Sequence, residues 1–140
     1  MKETVESLLE KRSLLYRRLE EIGNFRRGII SVNYRKCGKK NCACARKGHA
    51  GHGPQYLWNT TIKGKSFAKH VRLGPELQKY KEETENYQIF LKICEEVVET
   101  NEKICNAEPA GAIEDGSELA ELKKKLQRHF MKRLQKKLSR

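Results

Sequence analysis

The chain has 140 residues, a length that suits one ordinary domain and excludes a large catalytic fold joined to a second module. Apolar residues make up 37% and charged residues 34%, a balance that fits exposed helices around a small core. The 30 Lys and Arg against 18 Asp and Glu give a net charge of +12, which points to an anionic partner.

Residues 1–22 carry five acids and five bases and hold no apolar stretch of the kind a secretory signal needs. Their apolar positions Val5, Leu8, Leu15, Leu19 and Ile22, with Arg12 completing the spacing, recur every three or four residues. That period predicts one amphipathic helix over residues 2–22.

From residue 23 to residue 74 the chain contains twelve Lys or Arg and no Asp or Glu. Here the period changes to two. Ile30, Val32 and Tyr34 alternate with Ser31, Asn33 and Arg35, so residues 28–36 read as a strand. Residues 55–62 and 65–73 are rich in β-branched and aromatic side chains, and Lys63-Gly64 between them suits a two-residue hairpin turn. In that register Tyr56, Trp58, Thr60 and Ile62 share a face with Lys65, Phe67, Lys69 and Val71. An aromatic face beside amphipathic helices is expected to be the core of the sheet; stacking on nucleic-acid bases is the alternative.

The first strand leads into Cys37, Cys42, Cys44, His49 and His52, within a stretch otherwise made of Gly, Lys, Arg, Asn and Ala. Such a loop cannot order itself by burying apolar surface. Five cysteines, an odd number, in a chain expected to be intracellular point to metal binding or free thiols and not to a disulfide framework. The expected ligand set for a Zn²⁺ ion is Cys37, Cys42, Cys44 and His52, with His49 as the alternative fourth ligand. Gly51 and Gly53 give the chain freedom to bring His52 round. Three thiolates, a neutral imidazole and Zn²⁺ sum to −1, so the surrounding Lys36, Lys39, Lys40, Arg46 and Lys47 support the thiolates and still leave a positive surface.

Gly74-Pro75-Glu76 opens a second helix over residues 75–106, with Pro in the first turn and an acid beside it. Leu77, Thr84, Leu91, Val98 and Cys105 alternate there with Tyr80, Tyr87, Cys94 and Asn101 in a heptad-like, coiled-coil-type stripe. Its expected cover is the first helix folded back antiparallel, or a second copy of the chain. Cys94 and Cys105 read as core, and His70 and His129 as ordinary surface or packing residues. Residues 107–117 have linker composition. Ser117 is the expected cap of a basic amphipathic helix over residues 118–140, with Leu119, Leu122, Leu126, Phe130 and Leu134 among Lys and Arg. Docking on its own protein or a solvated tail is expected of this helix.

No apolar run approaches the roughly 20 residues that span a bilayer, so a cytoplasmic protein with no membrane partner is expected. The basic segment has no carboxylate to serve as a general base, and the zinc-hydrolase, deaminase, Walker and nucleophile-elbow motifs are absent. A structural metal site in a non-enzyme is the expectation.

The run Tyr34-Arg35-Lys36-Cys37-Gly38-Lys39, then Asn41-Cys42-x-Cys44, then His52-Gly53-Pro54 and Tyr56-Leu57, resembles a family of small prokaryotic proteins described as a domain of unknown function. The likeness extends over residues 23–105, and it implies Cys37, Cys42, Cys44 and His52 as the functional set in preference to His49. The resulting expectation is an α+β fold: an antiparallel helical hairpin with an inserted three-stranded, zinc-ordered antiparallel sheet, followed by a linker and a basic helix. The expected function is binding of DNA or RNA, with Arg26, Arg27, Arg35, Lys36, Lys39, Lys40, Arg46 and Lys47 contacting phosphates. The alternative is a protein-interaction adaptor built on the helices, as a homodimer or with a helical partner.

Overall fold

The computed structural model describes residues 2–139. Its elements in chain order are α1 (Val5–Glu21), β1 (Ile29–Arg35), a single 3₁₀ turn (Ala43–Ala45), β2 (His52–Ile62), β3 (Lys65–Val71), α2 (Pro75–Ala107) and α3 (Gly116–Leu138). The fold is α+β, as expected. The chain forms two units, one ending at Ala107 and the other beginning at Glu108.

In the first unit, a capping box sets the start of α1. The Thr4 side chain accepts the Ser7 backbone N–H at 3.1 Å, and the Ser7 hydroxyl accepts the Thr4 N–H at 3.0 Å. This reciprocal pair satisfies two otherwise orphaned donors and fixes the first turn three residues later than the apolar period alone suggests. Leu8 and Leu15 of α1 are buried.

α1 packs antiparallel on α2. Glu3 pairs with Lys103 (3.1 Å), Arg12 donates to Asn101 (3.0 Å), Arg18 pairs with Glu96 (3.7 Å), and the Asn86 amide donates to the carbonyl of Asn24 (3.0 Å). As the residue numbers rise along the first helix and its exit, they fall along the second. Phe25, just past α1, stacks on Phe90 with ring centroids 4.7 Å apart.

The apolar stripe of α2 differs from the heptad expectation. Its buried residues are Tyr80, Thr84, Ile93, Thr100 and Ile104, whereas Leu91, Val98 and Cys105 are exposed. The reason is that α2 serves two partners. Its first turns meet the sheet, where Tyr80 touches Trp58 and Lys69, and its later turns meet α1, where Asn101 and Lys103 bond to Arg12 and Glu3. At about 100° per residue, the buried residues Ile93, Thr100 and Ile104 lie roughly 160° round the helix from Tyr80 and Thr84. A single seven-residue repeat carried through from Leu77 therefore faces solvent in the second half.

The sheet has the order β1-β2-β3, with both pairs antiparallel. Trp58 lies opposite Ile30 and Lys69, Tyr56 opposite Val32 and Val71, and Thr60 opposite Phe67. This is the register expected from the alternation. Lys63 and Gly64 both have positive φ (50° and 78°), the geometry that lets a two-residue turn follow the twist of its strands. β2 begins three residues earlier than expected, at His52, because its first residue pairs with Arg35 past a bulge in which Gly53 and Pro54 of β2 face Tyr34 of β1.

The sheet is fastened to α2 by a mixed aromatic and ionic cluster. The Trp58 ring meets Tyr80 edge-on at 5.7 Å. The Arg26 guanidinium lies 3.8 Å over the Tyr80 ring and pairs with Glu83 at 3.0 Å. The Lys69 ammonium donates to the Tyr80 hydroxyl at 2.9 Å and pairs with Glu76 at 3.6 Å. Trp58 is thus packing surface, as the core reading expected, whereas Phe67 and Ile62 further along the same face are exposed and depart from it.

In the second unit, Asp115 caps α3 by accepting the Ser117 N–H at 2.8 Å. Ser117, the expected cap, lies inside the helix, because the Asp115 carboxylate accepts the Ser117 N–H and so starts the helix two residues earlier. No residue of α3 is buried, and Leu122, Leu126, Phe130 and Leu134 are exposed.

Lys79 and Arg26 hold the Glu83 carboxyl below its usual range. A carboxyl with a depressed folded-state pKa contributes stability that is present above its unfolded value and is lost as pH falls through the folded one. Glu83→Gln should therefore lower stability at neutral pH by about 1.5–3 kcal/mol, the net value of hydrogen bonds to a charged group. The difference from the parent should vanish in urea titrations once the pH is well below the free carboxylate value of about 4.3.

Candidate metal centre

The pairing of β1 with β2 brings the two ends of the cysteine loop together. Arg35, the last residue of β1, lies opposite His52, the first residue of β2, so Cys37 is two residues past the point where the strands meet. Between them, residues 36–51 have no apolar side chain larger than Ala apart from the cysteines. The loop coils back on itself through backbone bonds. Cys42 N–H donates to Lys39 O at 3.3 Å, Ala45 N–H to Cys42 O at 3.0 Å, and Arg46 N–H to Ala43 O at 3.2 Å. This single turn presents Cys42 and Cys44 towards Cys37 and His52.

The ligand atoms of Cys37, Cys42, Cys44 and His52 all lie within 4.8 Å of one another. Sγ of Cys37 is 3.5 Å from Sγ of Cys44, and Sγ of Cys42 is 3.2 Å from Nε2 of His52. With metal–sulfur bonds of about 2.3 Å, a tetrahedral site has edges of roughly 3.8 Å. The four atoms are thus close to the corners of such a site and could hold a metal ion. Cys44 is 1% exposed and forms the inner wall, while Cys37 and His52 are exposed.

Local electrostatics prepares the sulfurs for a cation. The backbone N–H of Lys39, with help from His52 and Cys44, brings the Cys37 thiol down to about 6. His52 is pushed up, first by Cys37 and then by Cys42. Cys44 gains a hydrogen bond from the Cys37 N–H, yet burial and the neighbouring sulfurs leave its thiol above the usual range. Four groups sharing protons in so small a space form a donor set in which one divalent cation can replace the shared protons.

Of the two histidines, His52 and not His49 has its ring nitrogen beside the three sulfurs. Nδ1 of His49 accepts the Gly51 N–H at 2.9 Å, which turns that ring to the backbone of its own loop. Gly51 has a part that spacing alone hides. Its φ is +109°, and a Cβ there would lie 2.7 Å from the Arg35 carbonyl carbon and 2.9 Å from the Lys36 nitrogen. The chain entering His52 runs against the backbone leaving β1, which only a residue without a side chain permits.

Of the eight cations expected at a polyanion surface, Arg27, Arg35, Lys36, Lys39, Lys40, Arg46 and Lys47 are exposed. None of the seven forms an ion pair among the described residues. Arg26 differs. Its guanidinium is held between Glu83 and Tyr80 and belongs to the packing between sheet and helix. The signal for this was faint in the sequence, because the partners lie 57 residues apart. Cys94 and Cys105 stand on α2 apart from the cluster, half-buried and exposed respectively. Core placement therefore fails for Cys105, which the turn of the buried stripe carries outward.

Fold and site together define a three-stranded β-module, with a candidate Cys₃His metal centre at one end, carried on a pair of antiparallel helices. The chain belongs to the family described as a domain of unknown function (DUF6788), which matches residues 5–82. The match takes in α1, the whole sheet with its cysteine loop, and the opening turns of α2. No curated protein and no solved structure matches the chain. Residues 5–22 fall inside the matched region, which ends well before residue 105.

Gly51→Ala leaves every ligand in place but strains the approach to His52. A titration with Co²⁺, read by the thiolate-to-cobalt absorption, should show affinity reduced roughly tenfold or more, in line with the cost of forcing a side chain into positive φ. Unchanged affinity would disconnect Gly51 from the site.

Proposed function

We propose that this protein binds nucleic acid, with a structural Zn²⁺ ion shaping a basic loop that contacts phosphates. What carries the reading is one juxtaposition. Six exposed cations, Arg35, Lys36, Lys39, Lys40, Arg46 and Lys47, belong to the cysteine loop or its immediate flank, in a segment with no carboxylate to neutralise them. Arg27 adds a seventh at the other end of β1. Three sulfurs and an imidazole suit Zn²⁺, which is borderline-soft and takes four such ligands in closed structural sites. A closed site leaves no position for a reacting water, and the basic segment holds no proton acceptor of the kind hydrolytic zinc needs. The ion's part is then to order the loop, and the part of the cations is to attract a polyanion.

Arg26 is left out of the contact set because Glu83 holds it. Arg35 and the loop lysines reach phosphates as point charges or, for the arginines, as bidentate donors.

Elemental analysis of protein prepared under reducing conditions should find one zinc per chain, and a chelator should unfold residues 28–72 before the helices. If about five cations meet phosphates on duplex DNA, log affinity against log salt should have a slope near −4.5. Reversing the charge at Arg35, Lys36, Lys39 and Lys40 together should abolish binding. A flat salt dependence, or full binding by the reversed protein, would refute the proposal.

A further inference from the structure

An open cleft of the first unit lies at the end of the sheet away from the cysteine loop. It has a volume of about 580 Å³ and is lined by Arg27, Ile29, Thr61, Ser66, Phe67 and Tyr87, among others. Two of these are large apolar side chains left open to solvent: Ile29 is 61% exposed and Phe67 is 50% exposed. Arg27 stands at the same cleft, exposed and without an ion pair among the described residues. Its carbonyl accepts the Trp58 indole N–H at 2.8 Å, which anchors its backbone to the sheet. No residue lining the cleft is an acid.

An occupant of matching chemistry has a flat apolar part, polar edges and a negative charge. A nucleotide unit meets all three conditions: its base can stack on Phe67 beside the Thr60 hydroxyl, which lies on the same face of the sheet, and Arg27 can meet a phosphate. A base still paired in a duplex cannot enter a cleft, because its faces are covered by its neighbours.

The placement of the cleft extends this to a longer ligand. β1 is an edge strand of the sheet, with the cleft residues Arg27 and Ile29 at its start and Arg35 and Lys36 at its end. At about 3.3 Å per residue, the eight steps from Arg27 to Arg35 span roughly 26 Å. A single strand running along this edge can therefore reach the cleft and the cation-rich loop at once.

We infer that the cleft between Phe67, Tyr87 and Arg27 holds one unpaired base of a single-stranded nucleic acid whose phosphates continue along β1 to the cysteine loop. This rests on the nucleic-acid reading above and adds to it a strand preference and a base site. The seven cations alone would favour the denser charge of a duplex; the cleft reverses that preference.

The test is fluorescence anisotropy with a labelled single strand, prepared once as DNA and once as RNA, and with the matching DNA duplex, using the full zinc-loaded chain. Phe67→Ala should weaken single-strand binding by about 5- to 100-fold, the range for losing one stacked base, and leave duplex binding unchanged. Phe67→Tyr should keep parental affinity, and Ile29→Ser, on another part of the lining, should also weaken the single strand. Circular dichroism checks that each variant is folded. A loss confined to either sugar supports the inference and identifies the strand. If Phe67→Ala and Ile29→Ser both bind single strands as the parent does, while the four-site charge reversal does not bind, the base site is overturned and the phosphate-binding reading stands. If the parent chain binds no nucleic acid at low salt, both are overturned.

Discussion

The structure depends on how the segment between β1 and β2 is held. Sixteen residues there offer no apolar side chain beyond Ala and Cys, so burial contributes almost nothing to their order. Two physical features stand in for a core. One is the backbone pairing of Arg35 with His52, which fixes where the loop leaves and re-enters the sheet. The other is the convergence of three sulfurs and one imidazole within 4.8 Å. Each needs the other: without the pairing the ligands are scattered, and without a shared cation the loop is held only by its own short backbone bonds.

The helices have a different role, which explains the unusual pattern along α2. A 33-residue helix is longer than the sheet it supports, so its two halves bury different faces. The first half lies on the sheet, where Tyr80 touches Trp58 and Lys69 and where Glu83 takes Arg26. The second half lies on α1. Arg26 sits at the junction, bonded to the helix and stacked on its tyrosine, and this removes it from the charge exposed to solvent. The acidic character of α2 therefore serves the fold directly, by partnering the few cations of the basic module that are turned inward.

What remains exposed follows from that division. The cations of the cysteine loop are placed by a scaffold that contains no acid within the same segment, and the open cleft lies at the opposite end of β1. Charge and concavity thus occupy the two ends of one edge strand. Under the proposed reading, long-range attraction would bring a polyanion to such a surface, and short-range stacking would choose among its forms.

Much of this was legible in the sequence. Period-two alternation gave the three strands, their facing and the turn at Lys63-Gly64, because side-chain direction in a strand is fixed by backbone geometry alone. Cysteine density in a loop without apolar residues pointed to the four side chains that converge in the structure and could hold a metal ion. The choice between His49 and His52 belonged to the tertiary structure: it turns on a backbone pairing across 17 residues and on the space at Gly51. The buried stripe of α2 and the capture of Arg26 by Glu83 were likewise decided in three dimensions. Periodicity records that a helix has an apolar face, but not that its partner changes halfway along, and a lone arginine carries no mark of a glutamate 57 residues away.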